Sequence, residues 1–263
     1  MPMAKAKPEY PSWYKPSRRL PGTFKWHLER KGKTTTALIL EGDWDKRAPI
    51  VPSRLNRTTT EVIIGKEFQG KNLDCLKWFS KARALRVLNY NIVDINGIYE
   101  MPNLEALTID RVRAKFVKID CSYFPKLKKL VCSCSTLKDV QRSKKITHIE
   151  LRHISSIKRL DLSGLSKLRV LQIGPANGIE ELTLTGLPSL DELGLNLMRS
   201  LKKIEASDLF EAVRHLDIRG TPNISPKFLA QFKRLQSVEI TPKSRFTAKD
   251  FPFCKPDLIE FPV

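Results

Sequence analysis

The residues of this chain that could carry chemistry are its cysteines and histidines. Cys132 and Cys134 are separated by one residue, a spacing that can bring two thiolates to one metal ion. A structural zinc site needs four ligands, and no second pair at a compatible spacing completes this one. The five cysteines are odd in number and irregularly spaced. We therefore expect buried apolar thiols and no disulfide framework.

The histidines do not form a recognisable catalytic group. His148 and His153 are close in sequence, but neither has an evident nucleophile or carboxylate partner, and His27 and His215 lie far away. The sequence contains no phosphate-binding loop, dinucleotide fingerprint, nucleophile elbow or zinc-protease motif. We predict no catalytic, cofactor-binding or metal-binding residues, and hence a protein that is not an enzyme.

Composition and charge restrict the class of protein. Of 263 residues 41% are hydrophobic, which is enough for a sizeable core, and no apolar run is long enough to span a membrane. The N-terminus lacks the apolar stretch of a secretory signal, so we expect a cytoplasmic protein without a membrane partner. The net charge of +19 favours an acidic protein surface or a nucleic acid as the partner.

Two unlike half-repeats of eleven residues alternate through the middle of the chain. Their first residues are Ile146, Ile157, Leu168, Ile179, Leu190 and Leu201, and each has apolar residues at +3 and +5. The +3/+5 pair predicts a short strand with both side chains on one face. Only the units that begin at Ile157 and Ile179 run into an S/T-G-L turn. The true period is therefore 22 residues, with two strands per coil.

The 22-residue series continues more loosely on both sides. Its predicted starts are Leu85, Leu104, Leu127, Ile146, Leu168, Leu190, Val213 and Leu235. The runs "TTALILEG" (35–42) and "TEVIIG" (60–65) predict atypical first coils, as expected for units that cap a repeat array. "SPKFLAQFKRL" predicts a brief helix, and the apolar C-terminus is expected to close the last coil.

The pattern L-x-x-L-x-L/I at 22–23 residues resembles the leucine-rich-repeat family over residues 81–241. The resemblance implies a horseshoe solenoid of short parallel β-strands, two per coil, with little helix. It divides the chain into a basic N-terminal segment (1–34), N-terminal cap coils (35–80), the repeats (81–241) and a C-terminal cap (242–263). The family usually has Asn or Cys at the ninth position, where this chain has Val93, Val112, Ser135, Ile154, Ala176, Met198, Thr221 and Lys243.

The strand face is predicted to be electrically mixed. At outward positions of the first strand series we count seven basic and seven acidic residues. A mixed face suits a shaped protein partner, since charge pairs set register and reject wrong partners; a solvated face without a ligand is the alternative. The predicted contact residues are Lys128, Lys129, Glu150, Arg152, Arg169, Asp191, Glu192, Arg214, Asp217 and Arg219.

The excess positive charge lies elsewhere in the sequence. Residues 1–34 carry nine Lys or Arg against two Glu, interleaved with aromatic residues that could stack on a single-stranded nucleic acid. Alternatively, "TFKWHLE" pairs as a strand with "TTALILE" across the "RKGKT" turn. Basic residues also precede the first-series strands and predict a broken basic ridge along one edge: Lys81, Arg83, Lys126, Lys144, Lys145, Lys167, Lys233 and Arg234.

These observations predict a non-enzymatic module that binds a protein with an acidic or mixed-charge surface through its strand face. The sequence pattern of residues 72–110 and 119–130 also resembles that of a group of bacterial leucine-rich-repeat proteins, some of which are immunity proteins that neutralise toxins. The alternative is a nucleic-acid-associated protein that uses the basic N-terminus and the ridge.

Overall fold

The structure is a computed structural model. It describes residues 25–31, 35–42, 59–110, 112–207, 211–241 and 247–260.

Short strands dominate the described residues because two apolar positions, spaced by two, recur in every coil. The strands are β1 (Lys25–Lys31), β2 (Thr35–Gly42), β3 (Glu61–Phe68), β4 (Ala84–Leu88), β5 (Ala106–Asp110), β6 (Lys118–Asp120), β7 (Lys129–Cys132), β8 (Thr136–Lys138), β9 (His148–Leu151), β10 (Arg159–Asp161), β11 (Val170–Ile173), β12 (Glu181–Leu184), β13 (Glu192–Leu195), β14 (Lys203–Ala206), β15 (His215–Arg219), β16 (Ser237–Thr241) and β17 (Ile259–Glu260).

In the part of the chain that the structure describes, one long sheet has twelve strands in the order β1-β2-β3-β4-β5-β7-β9-β11-β13-β15-β16-β17. Among these strands β1 and β2 pair antiparallel, and from β2 onward every neighbour is parallel. The apolar residue at +3 is held in one ladder across the parallel strands: Leu38, Val62, Leu85, Leu107, Leu130, Ile149, Leu171, Leu193, Leu216, Val238 and Ile259.

The register corrects one predicted start. Leu85 pairs with Leu107 and Val87 with Ile109, so Leu85 stands at +3 and its coil begins at Ala82 rather than at Leu85. Ala82 is buried, as a start position must be. The prediction was wrong because alanine marks a start position less clearly than leucine does. Leu85, three residues later, fits the start position equally well by residue type.

The second half of each coil varies. In five consecutive coils it is a strand, and these strands form two small parallel sheets, β6-β8 and β10-β12-β14. The other coils turn through helical segments, either a 3₁₀ helix or the single α-helix of the described residues, α1 (Pro226–Leu229). The 3₁₀ helices of these coils are Asp74–Phe79, Asn96–Glu100, Ala248–Asp250 and Pro256–Leu258, and three more, Ala114–Phe116, Cys121–Tyr123 and Val140–Arg142, flank β6 and β8. Two strands per coil and little helix are thus the pattern of the central coils.

The inward side chains of both strand series form one continuous apolar core that extends from β2 to β17. At the C-terminal end Phe251 is fully buried and β17 adds the last strand to the long sheet. At the other end β1 pairs with β2 as predicted. That pairing favours the hairpin interpretation of "TFKWHLE", while the remaining N-terminal basic residues, 1–24, lie outside the described residues.

Polar side chains replace the expected asparagine ladder at several turns. Ser135 and Thr221 occupy the ninth position, and their hydroxyls donate to the backbone carbonyls of Val117 (3.2 Å) and Leu195 (2.7 Å) in the preceding coil. Asn89, just after β4, lies within hydrogen-bond distance of three carbonyls of the coil before it. The ladder is therefore sparse and chemically mixed.

Candidate interaction surface

The ten predicted contact residues all lie in or beside five parallel strands of the long sheet, on the face opposite the core. The apolar residues at +3 and +5 beside them are buried, whereas these side chains are at least partly exposed. They are Lys128 and Lys129 at β7, Glu150 and Arg152 at β9, Arg169 at β11, Asp191 and Glu192 at β13, and Arg214, Asp217 and Arg219 at β15.

Several of these charges already pair with one another between coils. The Arg214 guanidinium makes two contacts with the Asp191 carboxylate, at 2.6 and 2.9 Å. These hydrogen bonds are the main cause of the lowered pKa of Asp191 and the raised pKa of Arg214. Arg214 and Asp191 are therefore held in place by each other before any partner arrives.

Arg219 is held in a similar way at β15. Its guanidinium lies 2.6 Å from the Asp217 carboxylate and 3.3 Å from that of Glu239 on the next strand. The Asn196 amide donates to Asp217 at 3.0 Å. Arg219 thus neutralises two carboxylates that the parallel register places side by side.

Two further ion pairs complete the compensated part of the face. Arg152 directly follows β9, and its Nε donates to the carboxylate of Glu150, which lies in that strand, at 2.7 Å. Lys128 contacts Glu105 of the preceding coil at 2.7 Å, and this contact is the first cause of the lowered pKa of Glu105. All five pairs are partly exposed, so each stabilises the fold only modestly.

Three predicted contact residues have no ion pair within the described part of the chain: Lys129, Arg169 and Glu192. Lys129 and Arg169 are exposed, and Glu192 is half-buried. Because no described residue forms an ion pair with them, they are the members of the set most available to a partner.

The charge of the strand face becomes acidic toward the C-terminus. A cavity of about 280 Å³ lies over β13, β15, β16 and β17. Asp217, Glu239 and Glu260 line it in direct cross-strand register. On its floor His215 Nδ1 lies 2.8 Å from the Ser237 hydroxyl. This end of the face is acidic, with Arg219 as its compensating cation.

His148 and His215 occupy the same outward position on β9 and β15, three strands apart. The Nε2 atom of His148 is buried and has no hydrogen-bond partner among the described residues. Burial and the neighbouring Lys129 lower the pKa of His148, so its imidazole is neutral at pH 7. The two histidines therefore do not share one site.

In the β10-β12-β14 sheet of the second strand series, most of the basic residues are paired with carboxylates of the same sheet. Glu180 lies between Lys158 and Lys202, at 3.7 and 2.7 Å, and Arg159 contacts Glu181 at 3.1 Å. Lys203 pairs with Glu205. Most of these ion pairs connect consecutive coils of the β10-β12-β14 sheet. That surface is therefore a weaker candidate for recognition than the strand face.

The cysteines are free and buried. Burial raises the pKa of the Cys75 and Cys121 thiols to about 12, and the hydrogen bond with Cys134 together with burial raises that of Cys132. These thiols are protonated at neutral pH and are weak nucleophiles.

Where the chain is described, no group of three or more His, Cys, Asp or Glu side chains could hold a metal ion. None of the helices in that part is both long and apolar enough to cross a bilayer.

Comparison with known proteins adds little to this description. No family model and no curated protein matches the sequence. A leucine-rich-repeat protein of Leptospira interrogans, LIC12759, is 15% identical, with a TM-score of 0.30 over 83% of this chain and 93% of that one. The functional domain of InlJ from Listeria monocytogenes, which includes a cysteine ladder, is 11% identical, with a TM-score of 0.20 over 76% of this chain and 67% of that one.

With TM-scores this low, the fold assignment rests on the strands of this chain itself. Parallel strands from β2 to β17 are stacked one per coil, with the apolar +3 residue in continuous register. The chain has the leucine-rich-repeat fold. Its strand face is the surface that varies from coil to coil while the leucines beneath it repeat.

Proposed function

We propose that this protein is a non-enzymatic interaction module that binds a protein partner on the open face of its long sheet. The observation that carries the proposal is the division of charge on that face. Among the described residues Lys129, Arg169 and Glu192 have no ion pair, whereas Arg152, Arg214 and Arg219 are already paired with carboxylates.

This division suits recognition of a protein. Preformed pairs keep the surface rigid, so that a partner does not have to order those side chains on binding. Free charges of both signs then favour a partner with the complementary pattern and penalise others. A sheet built from stacked repeats also offers an extended area over which such a pattern can be read.

The test is reversal of the free charges. We expect Lys129→Glu, Arg169→Glu and Glu192→Lys, made singly in the full chain, each to weaken binding of a partner isolated from the native cell by about tenfold. Isothermal titration calorimetry with that partner measures the dissociation constant of each variant. Arg152 and Arg214 are poorer choices, because reversing either leaves a carboxylate facing a new carboxylate on the same surface.

Lys118→Glu and Lys138→Glu are the matched controls. Both residues are exposed and lie on the β6-β8 sheet rather than on the strand face. Unchanged affinity in all three strand-face variants, with correct folding by circular dichroism, would exclude this surface.

A toxin is the finer hypothesis for the partner. It is supported only by the resemblance in sequence to bacterial leucine-rich-repeat proteins that include immunity proteins. A toxin gene directly upstream, whose product is lethal without this chain and harmless with it, is the expected finding.

Nucleic-acid binding is the second candidate. Its support is that Lys144, Lys145 and Lys167 of the basic ridge are exposed and have no ion pair among the described residues. Because β1 is part of the long sheet, a deletion that tests the N-terminal charges should remove residues 1–24 and keep the strand.

A further inference from the structure

The ridge and the strand face meet in one basic patch. It is built from three consecutive coils, those that contain β7, β9 and β11. In the long sheet, Lys128, Thr147 and Arg169 follow one another across these coils, joined by backbone hydrogen bonds from Thr147 to Lys128 and from Arg169 to Thr147. The basic patch comprises Lys126, Lys128, Lys129, Lys144, Lys145, Lys167 and Arg169.

Most of this charge is uncompensated. Lys128 contacts Glu105, and Lys126 donates to the side-chain oxygen of Asn103 at 2.7 Å. The other five members, Lys129, Lys144, Lys145, Lys167 and Arg169, have no ion pair within the residues that the structure describes. All seven members are exposed.

The basic patch is compact and has acidic borders. Strands in a sheet lie about 4.8 Å apart, so three coils span roughly 10 Å. Glu105 lies in the coil before the patch, and Asp191 and Glu192 lie in the coil after it. Glu105 is paired with Arg83 and Lys128, and Asp191 with Arg214, whereas Glu192 has no ion pair among the described residues. A polyanion that followed the solenoid beyond the patch would meet cations already held by carboxylates on one side and the carboxylate of Glu192 on the other.

A neutral polar group lies within the same area. His148 stands between Lys129 and Val170 in the register of the sheet, and its buried Nε2 has no hydrogen-bond partner in the described structure. The imidazole adds no positive charge to the patch.

The length of the basic patch favours a short acidic peptide over a nucleic acid. A segment of about three to four residues covers 10 Å in extended form, at about 3.3 Å per residue. A nucleic acid gains affinity by placing many phosphates on a continuous basic track. The borders of this patch interrupt such a track after a few charges.

We propose that the basic patch binds a short acidic segment of a protein partner. The inference rests on the proposed function, because it specifies the chemistry of one part of the same interface. A second copy of this chain does not fit as the partner, since the net charge of +19 opposes self-association.

The experiment uses the full chain and defined probes. Fluorescein-labelled peptides with four or eight consecutive glutamates are titrated by fluorescence anisotropy, alongside thymidine oligonucleotides of four and eight residues. At about 50 mM salt, where screening is moderate, we expect the four-glutamate peptide to bind. We expect the eight-glutamate peptide to bind no more than about threefold tighter, because its extra charges extend past the patch.

Two variants with the same change in charge separate this patch from general basicity. Lys129→Gln/Lys145→Gln/Arg169→Gln is expected to weaken peptide binding at least about tenfold. Lys118→Gln/Lys138→Gln/Arg199→Gln removes three exposed charges elsewhere and is expected to leave it within about twofold.

Equal losses in the two triple variants would overturn the inference. So would oligonucleotides that bind tighter than the peptides and gain steadily with length, which would indicate a nucleic-acid surface. If the native partner tolerates the first triple variant but not Glu192→Lys, the patch inference fails and the proposed function stands. If the partner tolerates every strand-face variant, the proposed function fails as well.

Discussion

At the scale of the residue, the turns of this solenoid are stabilised by a few buried polar side chains. Asn89 shows this most clearly. It is 1% exposed, and its amide nitrogen lies 2.7 to 3.0 Å from the carbonyl oxygens of Gly65, Lys66 and Phe68. Its side-chain oxygen accepts a hydrogen bond from the backbone of Asn91 at 2.7 Å. One side chain thereby connects two coils.

Replacing Asn89 should therefore be costly. We expect Asn89→Ala to lower the free energy of unfolding by roughly 3 kcal/mol, because buried carbonyl groups lose their donor. Asn91→Ala is the control, since the Asn91 side chain is exposed and only its backbone takes part. The measurement is urea denaturation followed by circular dichroism, and equal stability of the two variants would contradict this role of Asn89.

At the scale of the element, consecutive coils approach each other closely at glycines in the turns, among them Gly97 and Gly178. A Cβ added at Gly97 would lie 2.0 Å from the carbonyl oxygen of Leu73, and one added at Gly178 would lie 2.2 Å from that of Ser155. In both cases the obstacle is backbone of the neighbouring coil, which cannot turn away as a side chain can. The spacing of the coils depends on these glycines.

Gly97→Ala tests this packing. We expect a loss of about 2 kcal/mol or more, because the coils must separate to admit the methyl group. Gly194→Ala is a suitable comparison, since the nearest atoms there belong to the flexible side chain of Gln172 on the open face. Thermal melts of both variants measure the difference. A Gly97→Ala protein as stable as the wild type would show that the turn adjusts freely.

At the scale of the whole molecule, the stability of a repeat array is the sum of contacts between neighbouring coils. The ends have only one neighbour, so their apolar side chains need a cap. At the C-terminal end Phe251 is 1% exposed within the core, whereas Phe253, two residues later, is 57% exposed. The two phenylalanines form a natural matched pair.

We expect Phe251→Ala to cost about 3–5 kcal/mol and Phe253→Ala about 0.5 kcal/mol or less. Because coupling runs between neighbours, the loss should be local. Amide hydrogen exchange should accelerate at β16 and β17 and stay slow at β9 in the Phe251 variant. Uniform acceleration along the chain would instead show that the solenoid unfolds as one cooperative unit.

Much of the architecture could be predicted from the sequence because a repeat places each coil against the next. The apolar positions that begin with Leu38 and end with Ile259 are buried in one ladder, and the eleven-residue pattern predicted both strand series in the central coils. The placement of the ten candidate contact residues in or beside the strands follows from the same repeat. Their binding of a partner stays a prediction.

What only the tertiary structure decided is which charges are free. Asp191 and Arg214 are 23 residues apart in sequence but in contact in space, and so are Glu105 and Lys128. Coil length varies between 19 and 24 residues along the register ladder, so a pairing cannot be assigned before the register is known. The period of the leucines determined the scaffold; the register of the coils determined that Lys129, Arg169 and Glu192 remain unpaired within the described structure.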